Sequence, residues 1–259
     1  MQTILITGAG SGIGKATAQL LSKQEKTRLL LIGRRKDILN KVISTLPNSQ
    51  NHLACSVDVS NSKDLEECLS SHKANLKAHP LVSVFANAGI GGPNKFNEHD
   101  RWSEILDINL TGVYNTCMVS HPWLERAKSD GFQIRDIVVT SSCLARFGVP
   151  NQTAYVSSKT ALLGLVRSLA AQWSNNGILV NAIAPGWVET EMARQSIQAM
   201  AKAEGVTYEK MHATQCSLLP TGRMSQPAEI AALVEFLFSD AQQSITGQTI
   251  DINNGSWMG

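Results

Sequence analysis

The sequence predicts an α/β fold in which seven parallel strands form one doubly wound sheet with helices on both faces. Three observations support this prediction. Seven short apolar or β-branched runs alternate with stretches of helical character, the first run ends in a glycine-rich turn, and small or polar residues directly follow several runs. Alternating strands and helices typically give a parallel sheet. Such a sheet binds its ligands where the strands end.

Length, composition and charge describe a globular protein with a sizeable core. The chain has 259 residues, of which 43% are hydrophobic and 17% charged, and no linker or repeat divides it, so we expect a single domain over 1–259. The net charge of +2 is too small to favour a nucleic acid or an anionic membrane as partner. There is no apolar run of about 18 residues, so no membrane span is expected. The opening residues 1–4 lead directly into a strand-like run rather than a signal peptide, which makes the cytoplasm the expected location.

The cysteines and histidines lack the spacing of a disulfide framework or a metal site. Five cysteines, an odd number without a C-x-x-C pair, favour reduced thiols in a reducing compartment. The six histidines show no pattern such as H-E-x-x-H, and we interpret them as ordinary surface or core residues. We therefore predict no metal site. The cysteines are Cys55, Cys68, Cys117, Cys143 and Cys216.

The first strand, residues 3–7, leads into a glycine-rich turn and then a helix from Lys15 to Ser22. Glycines let the backbone approach a ligand closely, and a helix N-terminus presents free N–H groups to a phosphate. A strand, a glycine turn and a helix together are typical of dinucleotide binding; a tight turn that binds nothing is the alternative. The G-x-x-x-G-x-G spacing differs from the commoner G-x-G-x-x-G. The turn reads Gly8, Ala9, Gly10, Ser11, Gly12, Ile13 and Gly14.

The second strand, residues 28–32, ends in Gly33, Arg34 and Arg35. It is continuously apolar after its first residue, as expected for a parallel strand covered on both faces. An acidic residue at this position of a dinucleotide fold holds the ribose 2′-hydroxyl, whereas a basic one suits a 2′-phosphate. The two arginines thus favour a phosphate over a solvated basic loop.

The middle of the chain contains two further strands and two helical stretches. Strand-like runs occupy 52–57 and 81–86, and the segments 60–78 and 102–128 have helical character. Asn109 lies inside the second helical stretch, where an asparagine is mildly unfavourable because its side chain competes for backbone groups. Polar or small residues follow both strands, namely Asp58 and Val59 after the first and Asn87, Ala88 and Gly89 after the second.

Three more strands complete the predicted sheet. Residues 135–142 form a buried-type strand with Ser142 at its end, and 177–186 end in Pro185 and Gly186. Residues 248–252 form the last strand. A helix from Tyr155 to Trp173 lies between the first two of these strands and has apolar residues at helical spacing.

Tyr155 and Lys159 form the pattern that carries the chemistry. Residues four apart on a helix share one face, about 5–6 Å apart at Cβ. An ammonium beside a phenol favours the phenolate, and a tyrosine brought near neutral pH exchanges a proton with a carbonyl or alcohol oxygen. Y-x-x-x-K alone is common by chance, so its meaning depends on the other motifs.

Taken together, the motifs resemble those of the short-chain dehydrogenase/reductase family in its compact form, over essentially the whole chain. The family's order and spacing are reproduced, including 13 residues from Ser142 to Tyr155. The resemblance implies a Rossmann-type fold and hydride transfer between a nicotinamide cofactor and a carbonyl or secondary alcohol. The matching motifs are Thr7-Gly8-x-x-x-Gly12-x-Gly14, Asn87-Ala88-Gly89, Asn109, Ser142, Tyr155-x-x-x-Lys159 and Pro185-Gly186-x-x-x-Thr190.

The resemblance also implies roles for single residues. Tyr155 would be the general acid/base, Ser142 would bind the substrate oxygen, and Lys159 would bind the nicotinamide ribose and lower the pKa of Tyr155. Asn109 would hold a water that links Lys159 to solvent. The implied cofactor-binding residues are Gly8, Ser11, Gly12, Ile13, Gly14, Arg34, Arg35, Asp58, Val59, Asn87, Ala88, Gly89, Tyr155, Lys159, Pro185, Gly186, Val188 and Thr190.

The cofactor, substrate and assembly are less sharply defined. Arg34, with Arg35 in support, favours NADP(H), and NAD(H) is the alternative because Ser11 stands where many NADPH-preferring relatives carry a basic residue. The resemblance leans towards 3-oxoacyl-carrier-protein reductases and 3-hydroxybutyrate-type dehydrogenases. It implies a lid over about 190–219 and a homotetramer, with a dimer as the alternative.

Other interpretations and details stay open at this point. A nucleotide-binding regulator without catalysis is the competing class of function. The candidate pocket neighbours are Arg146, Gln152, Trp187, Met192 and Arg194, although a structural role or a place on the lid surface explains each more simply. The family's usual Asp-Gly-Gly reads Asn253-Asn254-Gly255, and asparagine tolerates the left-handed torsion such a turn needs.

Overall fold

The computed structural model describes residues 1–96 and 100–259. Seven strands form one sheet in the order β3-β2-β1-β4-β5-β6-β7, and all neighbouring strands pair in parallel. The predicted fold class and all seven predicted strands are confirmed. The strands are β1 (Gln2–Thr7), β2 (Thr27–Gly33), β3 (Leu53–Ser56), β4 (Leu81–Ala86), β5 (Arg135–Thr140), β6 (Ile178–Pro185) and β7 (Thr249–Ile252).

Ten α-helices occur in the described part of the chain. None of them is long and apolar enough to cross a membrane. Their bounds are α1 (Gly12–Leu21), α2 (Lys36–Ser44), α3 (Ser62–Ser71), α4 (Lys73–Ala78), α5 (Trp102–Leu106), α6 (Gly112–Ser129), α7 (Thr153–Trp173), α8 (Glu191–Glu204), α9 (Tyr208–Ser217) and α10 (Pro227–Leu237).

Two apolar clusters cover the two faces of the sheet. In β1, Ile4 and Ile6 belong to one cluster and Leu5 to the other, because successive side chains of a strand point to opposite faces. Residues of α1, α2 and α10 complete the first cluster, and residues of α3, α6 and α7 complete the second. Burying each such side chain stabilises the fold by about 1.5–3 kcal/mol. The sheet is thus held rigidly between two helical layers.

Both helical stretches predicted in the middle of the chain are interrupted. The stretch 60–78 divides at His72 into α3 and α4. The stretch 102–128 contains a π-helical turn at Asp107–Thr111 between α5 and α6, in which the N–H of Gly112 donates to the carbonyl of Asp107. This turn includes Asn109, so the residue that is unfavourable in an α-helix lies where the regular pattern is broken.

The prediction of five reduced thiols is wrong for Cys55 and Cys68. They form a disulfide, with their Cα atoms 6.3 Å apart. The two residues lie on β3 and α3, which pack in the same apolar cluster, and sequence spacing does not reveal that contact. Cys117, Cys143 and Cys216 are free, and burial raises the pKa of the Cys117 thiol to about 12.

Within the described residues, no group of histidine, cysteine or acidic side chains is arranged to hold a metal ion. Of the six histidines, His99 lies outside the described residues. His52 has a structural role, because its Nδ1 accepts a hydrogen bond from the backbone N–H of Leu29 at 3.1 Å.

The segment expected to form a lid contains α8 and α9. These helices have an apolar cluster of their own, which includes Ile197 and Met211. At the base of the segment the backbone N–H of Glu189 donates to the carbonyl of Ser225 at 2.9 Å. The chain before the segment and the chain after it are therefore held next to each other.

Candidate active site

A network of hydrogen bonds joins the carboxyl ends of β1, β4 and β5. The hydroxyl oxygen of Thr7 accepts from the backbone N–H groups of Asn87 and Ala88, both at 3.0 Å. The Asn87 Nδ2 donates to the Thr7 carbonyl at 3.2 Å, and the Thr140 hydroxyl donates to Asn87 Oδ1 at 3.0 Å. The strand order reverses between β1 and β4, which is where sheets of this class bind ligands. Asn87 therefore shapes the crevice through its side chain.

The glycine turn between β1 and α1 packs against this network too closely for larger residues. A Cβ at Gly8, whose φ is 66°, would lie 2.9 Å from the Cα of Ala88. A Cβ at Gly14 would collide with the carbonyl oxygen of Gly8 and lie 2.8 Å from Nδ2 of Asn87. Ser11 is exposed at the N-cap of α1 and its side chain makes no capping hydrogen bond. The turn thus leaves a hydroxyl and a helix N-terminus facing outward.

A cavity of about 140 Å³ lies beside the glycine turn. Most of the cofactor-binding residues predicted for the adenosine half meet here, although they come from the ends of four different strands. Ile90 also lines the cavity; it was not predicted from the sequence, although it directly follows the predicted Asn87-Ala88-Gly89. The predicted residues that line the cavity are Gly8, Ser11, Arg34, Arg35, Asp58, Val59, Ala88 and Gly89.

The charged side chains of this cavity differ in exposure and in hydrogen bonding. Arg34 and Arg35 expose their side chains beside the exposed Ser11. The Asp58 carboxylate accepts hydrogen bonds from the backbone N–H and the hydroxyl of Ser60, at 3.0 and 2.8 Å. The cavity therefore combines two exposed guanidinium groups with one anchored carboxylate, a set that fits a phosphorylated nucleoside.

The remaining predicted cofactor residues lie on the other side of the glycine turn. Gly186 packs on Asn253, and a Cβ at Gly186 would lie 2.9 Å from the Asn253 carbonyl oxygen. The Thr190 hydroxyl caps α8 by accepting from the N–H of Ala193 at 3.3 Å. The Thr190 methyl would lie 3.1 Å from a Cβ at Gly12. Thr190 and the glycine turn thus meet directly.

Three further predicted residues have packing roles in this region. Val188 is buried and pairs with Ser225 in an isolated bridge. Ile13 packs on the apolar cluster of the α1 face. Pro185 ends β6 and pairs with Ile252 of β7. Beyond β7, Asn254 has the left-handed torsion that was predicted for the turn, with φ 56°.

Tyr155, Lys159 and Ser142 come together at the end of β5. The Lys159 Nζ lies 5.8 Å from the centre of the Tyr155 ring and donates to the Thr140 carbonyl at 2.8 Å. The Ser142 side chain lies beside the Tyr155 phenol and lowers its pKa. α7 brings Tyr155 and Lys159 onto one face, as their spacing predicts.

Burial dominates the protonation equilibria of this group. It raises the pKa of the Tyr155 phenol, and the Ser142 side chain offsets part of that effect. Burial lowers the pKa of Lys159 to about 8. Burial thus acts in the opposite direction to Lys159 and the oxidised nicotinamide, the positive charges to which the resemblance attributes a lowered pKa of Tyr155.

Asn109 contacts the backbone of the β4–α5 connection through its whole side chain. Its Oδ1 accepts from the N–H of Ile90 at 2.8 Å, and its Nδ2 donates to the Ile90 carbonyl at 2.9 Å. Nδ2 also lies 3.3 Å from the Ser158 hydroxyl. A Cβ at Gly89 would contact both Asn109 and the Lys159 ammonium, at 3.2 and 3.4 Å. Asn109 is therefore near Lys159, but its side chain is already fully engaged.

The candidate pocket neighbours lie in different environments. Arg146 forms an ion pair with Asp251 at 3.0 Å, which fits a structural role. Arg194 is paired with Glu191 on the exposed surface of α8. Met192 approaches the backbone of Gly91, since its sulfur would lie 3.1 Å from a Cβ there. Of these three residues, only Met192 brings the lid segment against the loop that follows β4.

Comparison with known proteins places the whole chain in one group. Residues 8–256 match a family model described as enoyl-(acyl carrier protein) reductase. The 3-oxoacyl-[acyl-carrier-protein] reductase of Thermotoga maritima is 32% identical over 97% of this chain and 96% of its own length. The NAD-dependent glycerol dehydrogenase of Listeria innocua is 30% identical over 97% of this chain and 92% of its own. The crystal structure of a single-substitution variant of actinorhodin polyketide ketoreductase with NADPH has a TM-score of 0.89 and 26% identity, covering 98% of this chain and 97% of that one.

Proposed function

Because the chain belongs to the short-chain dehydrogenase/reductase family and is an oxidoreductase acting on CH–OH groups, we propose that it is an NADP(H)-dependent carbonyl reductase. The reaction moves a hydride between the nicotinamide and a carbonyl or secondary alcohol. One observation carries the proposal: Ser142, Tyr155 and Lys159 meet at the carboxyl end of β5, on the same edge of the sheet as the glycine turn.

The residues around the glycine turn fit a dinucleotide. The Gly8–Gly14 turn approaches β4 so closely that a side chain would clash, and it leaves the N-terminus of α1 for a phosphate. The neighbouring cavity carries Arg34, Arg35 and Asp58 for the nucleoside. When bound, the nicotinamide supplies or accepts the hydride. The protein binds and orients the cofactor and manages the proton.

Tyr155 is the proposed general acid/base. Because burial raises the pKa of its phenol, the group holds its proton at neutral pH and is in the form that donates to a carbonyl oxygen. Ser142, which lies beside the same phenol, would hold the substrate oxygen within reach of that proton.

Lys159 and Asn109 would return the proton from solvent. The Lys159 ammonium stabilises a phenolate once Tyr155 has given up its proton, and its spare donors would hold the nicotinamide ribose. Both polar side-chain atoms of Asn109 are bonded to Ile90, so the relay water would be held by the backbone carbonyl of Asn109, within the π-helical turn. That carbonyl thus replaces the side chain in the proposed relay.

Arg34 supports NADP(H) as the cofactor. Its guanidinium and that of Arg35 line the nucleoside cavity together with the unengaged Ser11 hydroxyl, and no acidic residue occupies positions 33–36. Guanidinium groups form strong charge-assisted hydrogen bonds with phosphate. NAD(H) is the second candidate, favoured by the similarity to an NAD-dependent glycerol dehydrogenase.

A 3-oxoacyl thioester is the proposed substrate, on the strength of the similarity to 3-oxoacyl-carrier-protein reductases. The alternative is a 3-hydroxy acid or another alcohol oxidised with NAD. The lid segment over about 190–219 would cover either substrate, since Met192 already contacts the loop after β4. We regard 1–259 as one domain into which this lid is integrated.

A homotetramer built on the long helices α6 and α7 and on β7 is the proposed assembly, with a dimer as the alternative. Tyr114 on α6 and Trp102 on α5 are 47% and 42% exposed, and aromatic side chains are enriched in protein interfaces. β7 is an edge strand, and an open edge favours pairing with another chain. A cytoplasmic location stays a prediction. So does a small-molecule substrate, with neither a nucleic acid nor a membrane as partner.

The decisive experiment is a screen of purified protein with NADPH and NADH against ketones and 3-oxoacyl thioesters, followed at the nicotinamide absorbance. Tyr155→Phe should abolish turnover while the cofactor still binds, because the substitution removes only the hydroxyl. Near-normal rates in this variant would refute the catalytic assignment. A wild-type protein that turns over none of the panel would refute the proposed substrate class.

A further inference from the structure

Helix α7 carries Tyr155 in its first turn but has no side-chain cap of its own. It begins at Thr153, and the preceding residue, Gln152, makes no capping hydrogen bond. The first N–H groups of a helix have no acceptor within the helix, and helix ends fray. Because Tyr155 is the third residue of α7, fraying would move its phenol away from Ser142.

Asn94, in the loop after β4, supplies the missing acceptor from 60 residues away. Its Oδ1 accepts from the N–H of Ala154 at 2.8 Å and from the Thr153 hydroxyl at 3.0 Å. Its Nδ2 donates to Asp100 Oδ1 at 3.2 Å, which requires that the amide oxygen, and not the nitrogen, faces the helix. The Asn94 backbone N–H donates to the Asn151 carbonyl at 3.0 Å. Three of these contacts fix the start of α7 relative to this loop, and the fourth, with Asp100, orients the Asn94 amide.

Because these hydrogen bonds are buried, they strongly determine the position of the start of α7. Asn94 is 8% exposed and Ala154 is fully buried, so water cannot replace the lost partner if either is changed. The same loop is fixed at its other end, where Ile90 is bonded by Asn109. The loop therefore connects the π-helical turn that contains Asn109 with the turn of α7 that contains Tyr155.

We infer that Asn94 is a positioning residue for Tyr155: it caps α7 from outside and so holds the phenol against Ser142. The inference rests on the proposed function only in assigning the acid/base role to Tyr155. Asn94 does not line the cavity beside the glycine turn, where the nucleoside half of the cofactor would bind. Loss of the cap should therefore affect the chemical step more than the binding of the cofactor.

Three variants separate positioning from general stability. Asn94→Ala removes the acceptor, Thr153→Ala removes one donor but leaves the Ala154 bond, and Asn94→Asp with Asp100→Asn keeps the acceptor and reverses the polarity of the supporting hydrogen bond. We expect Asn94→Ala to lower kcat by about 10- to 100-fold, because small displacements of a reacting group have effects of that size. The KM for NADPH should stay within about twofold. Thr153→Ala should have a smaller effect, and the paired substitution should recover most of kcat.

Two measurements make the test independent of folding and of the substrate. Rates are expressed per cofactor-binding site, counted by NADPH titration, so that unfolded protein does not contribute. Hydrogen exchange of the Ala154 amide, measured by mass spectrometry with residue resolution, reports the cap directly and should accelerate by about tenfold or more in Asn94→Ala. Unchanged exchange, or accelerated exchange with an unchanged kcat per site, would overturn the inference. If the wild-type enzyme turned over no substrate, the proposed function would fail, and the exchange measurement would still decide whether Asn94 caps α7.

Discussion

Lys159 donates a hydrogen bond from Nζ to the carbonyl oxygen of Thr140 at 2.8 Å, and its side chain is 3% exposed. The bond ties α7 to the carboxyl end of β5 and fixes the ammonium near Tyr155. Burial lowers the pKa of Lys159 to about 8, whereas an unfolded chain would restore a value of about 10.4. A cation useful for catalysis is thus kept at the expense of folding stability.

The first prediction concerns the pH dependence of stability in Lys159→Met. Between about pH 8 and 10.4 the unfolded wild type binds more protons at this site than the folded protein, so wild-type stability rises with pH. The cost of burying the charged Lys159 ammonium lowers the stability of the wild type in full below pH 8, and this cost disappears above the pKa of the unfolded chain. We expect the stability of wild type relative to the variant to increase by about 3 kcal/mol in total across this window. Urea unfolding of both proteins at pH 7 and pH 11 measures the difference, in which other titrating groups cancel. A difference independent of pH would contradict the buried charge.

The second prediction compares two glycines that both lie in helices. Gly14→Ala places a methyl group against the Gly8 carbonyl and Asn87; we expect a loss of about 1–3 kcal/mol in stability from overpacking and weaker cofactor binding. Gly164→Ala in α7 meets nothing within 4 Å and should raise helix stability by about 0.5–1 kcal/mol.

Thermal unfolding and NADPH titration of both variants measure these effects. Equal behaviour of the two substitutions would show that the glycine turn is not constrained as described. If α7 forms a subunit interface, Gly164→Ala could change the oligomeric state, which sedimentation would detect. The stabilities of the variants would then be compared at equal oligomeric state.

The sheet was predictable because burial on two faces leaves a simple pattern. In β2, Leu29 to Ile32 form a run that only a doubly covered strand tolerates. The candidate site was predictable for a related reason: parallel strands end on one edge, so residues such as Arg34 and Ser142 that follow strands converge there. Position relative to the strands thus carried more information than any single motif.

Contacts between distant segments were not predictable. The disulfide of Cys55 and Cys68 depends on how α3 packs on β3, and the cap from Asn94 depends on a loop 60 residues away. The π-helical turn at Asn109 has a local sign, an asparagine within a helical pattern, but the hydrogen bond from Asn109 to Ile90 joins two separate segments. The start of α10 at Pro227 did carry a readable signal, a proline at the first turn with a capping box, although no helix was predicted there.

The third prediction tests the contact between Asn109 and Ile90. Asn109→Ala leaves the N–H and the carbonyl of Ile90 without their partners, and we expect a loss of about 0.5–1.5 kcal/mol in stability for each hydrogen bond removed. Turnover should fall as well, because the loop at Gly89 borders the Lys159 ammonium. Ser158→Ala is the matched control, since it removes the 3.3 Å contact with Asn109 and the bond from the Ser158 hydroxyl to the Tyr155 carbonyl but leaves both bonds to Ile90. Urea unfolding and kcat measure the losses of stability and turnover in both variants. Comparable losses would contradict the proposed contribution of the Asn109–Ile90 hydrogen bonds.

The fourth prediction concerns the choice of cofactor. Arg34→Asp replaces a guanidinium of the nucleoside cavity by a carboxylate, which repels a 2′-phosphate and can accept a hydrogen bond from a 2′-hydroxyl. A hydrogen bond to a charged group contributes about 1.5–3 kcal/mol, so NADPH should bind about 10- to 100-fold more weakly. NADH binding should stay equal or improve. Arg35→Asp is the matched control: a smaller NADPH-specific loss would make Arg34 the principal phosphate ligand, and the reverse order would assign that role to Arg35. Equal weakening of NADPH and NADH in Arg34→Asp, measured by fluorescence titration, would refute a 2′-phosphate contact and favour the NAD-dependent alternative.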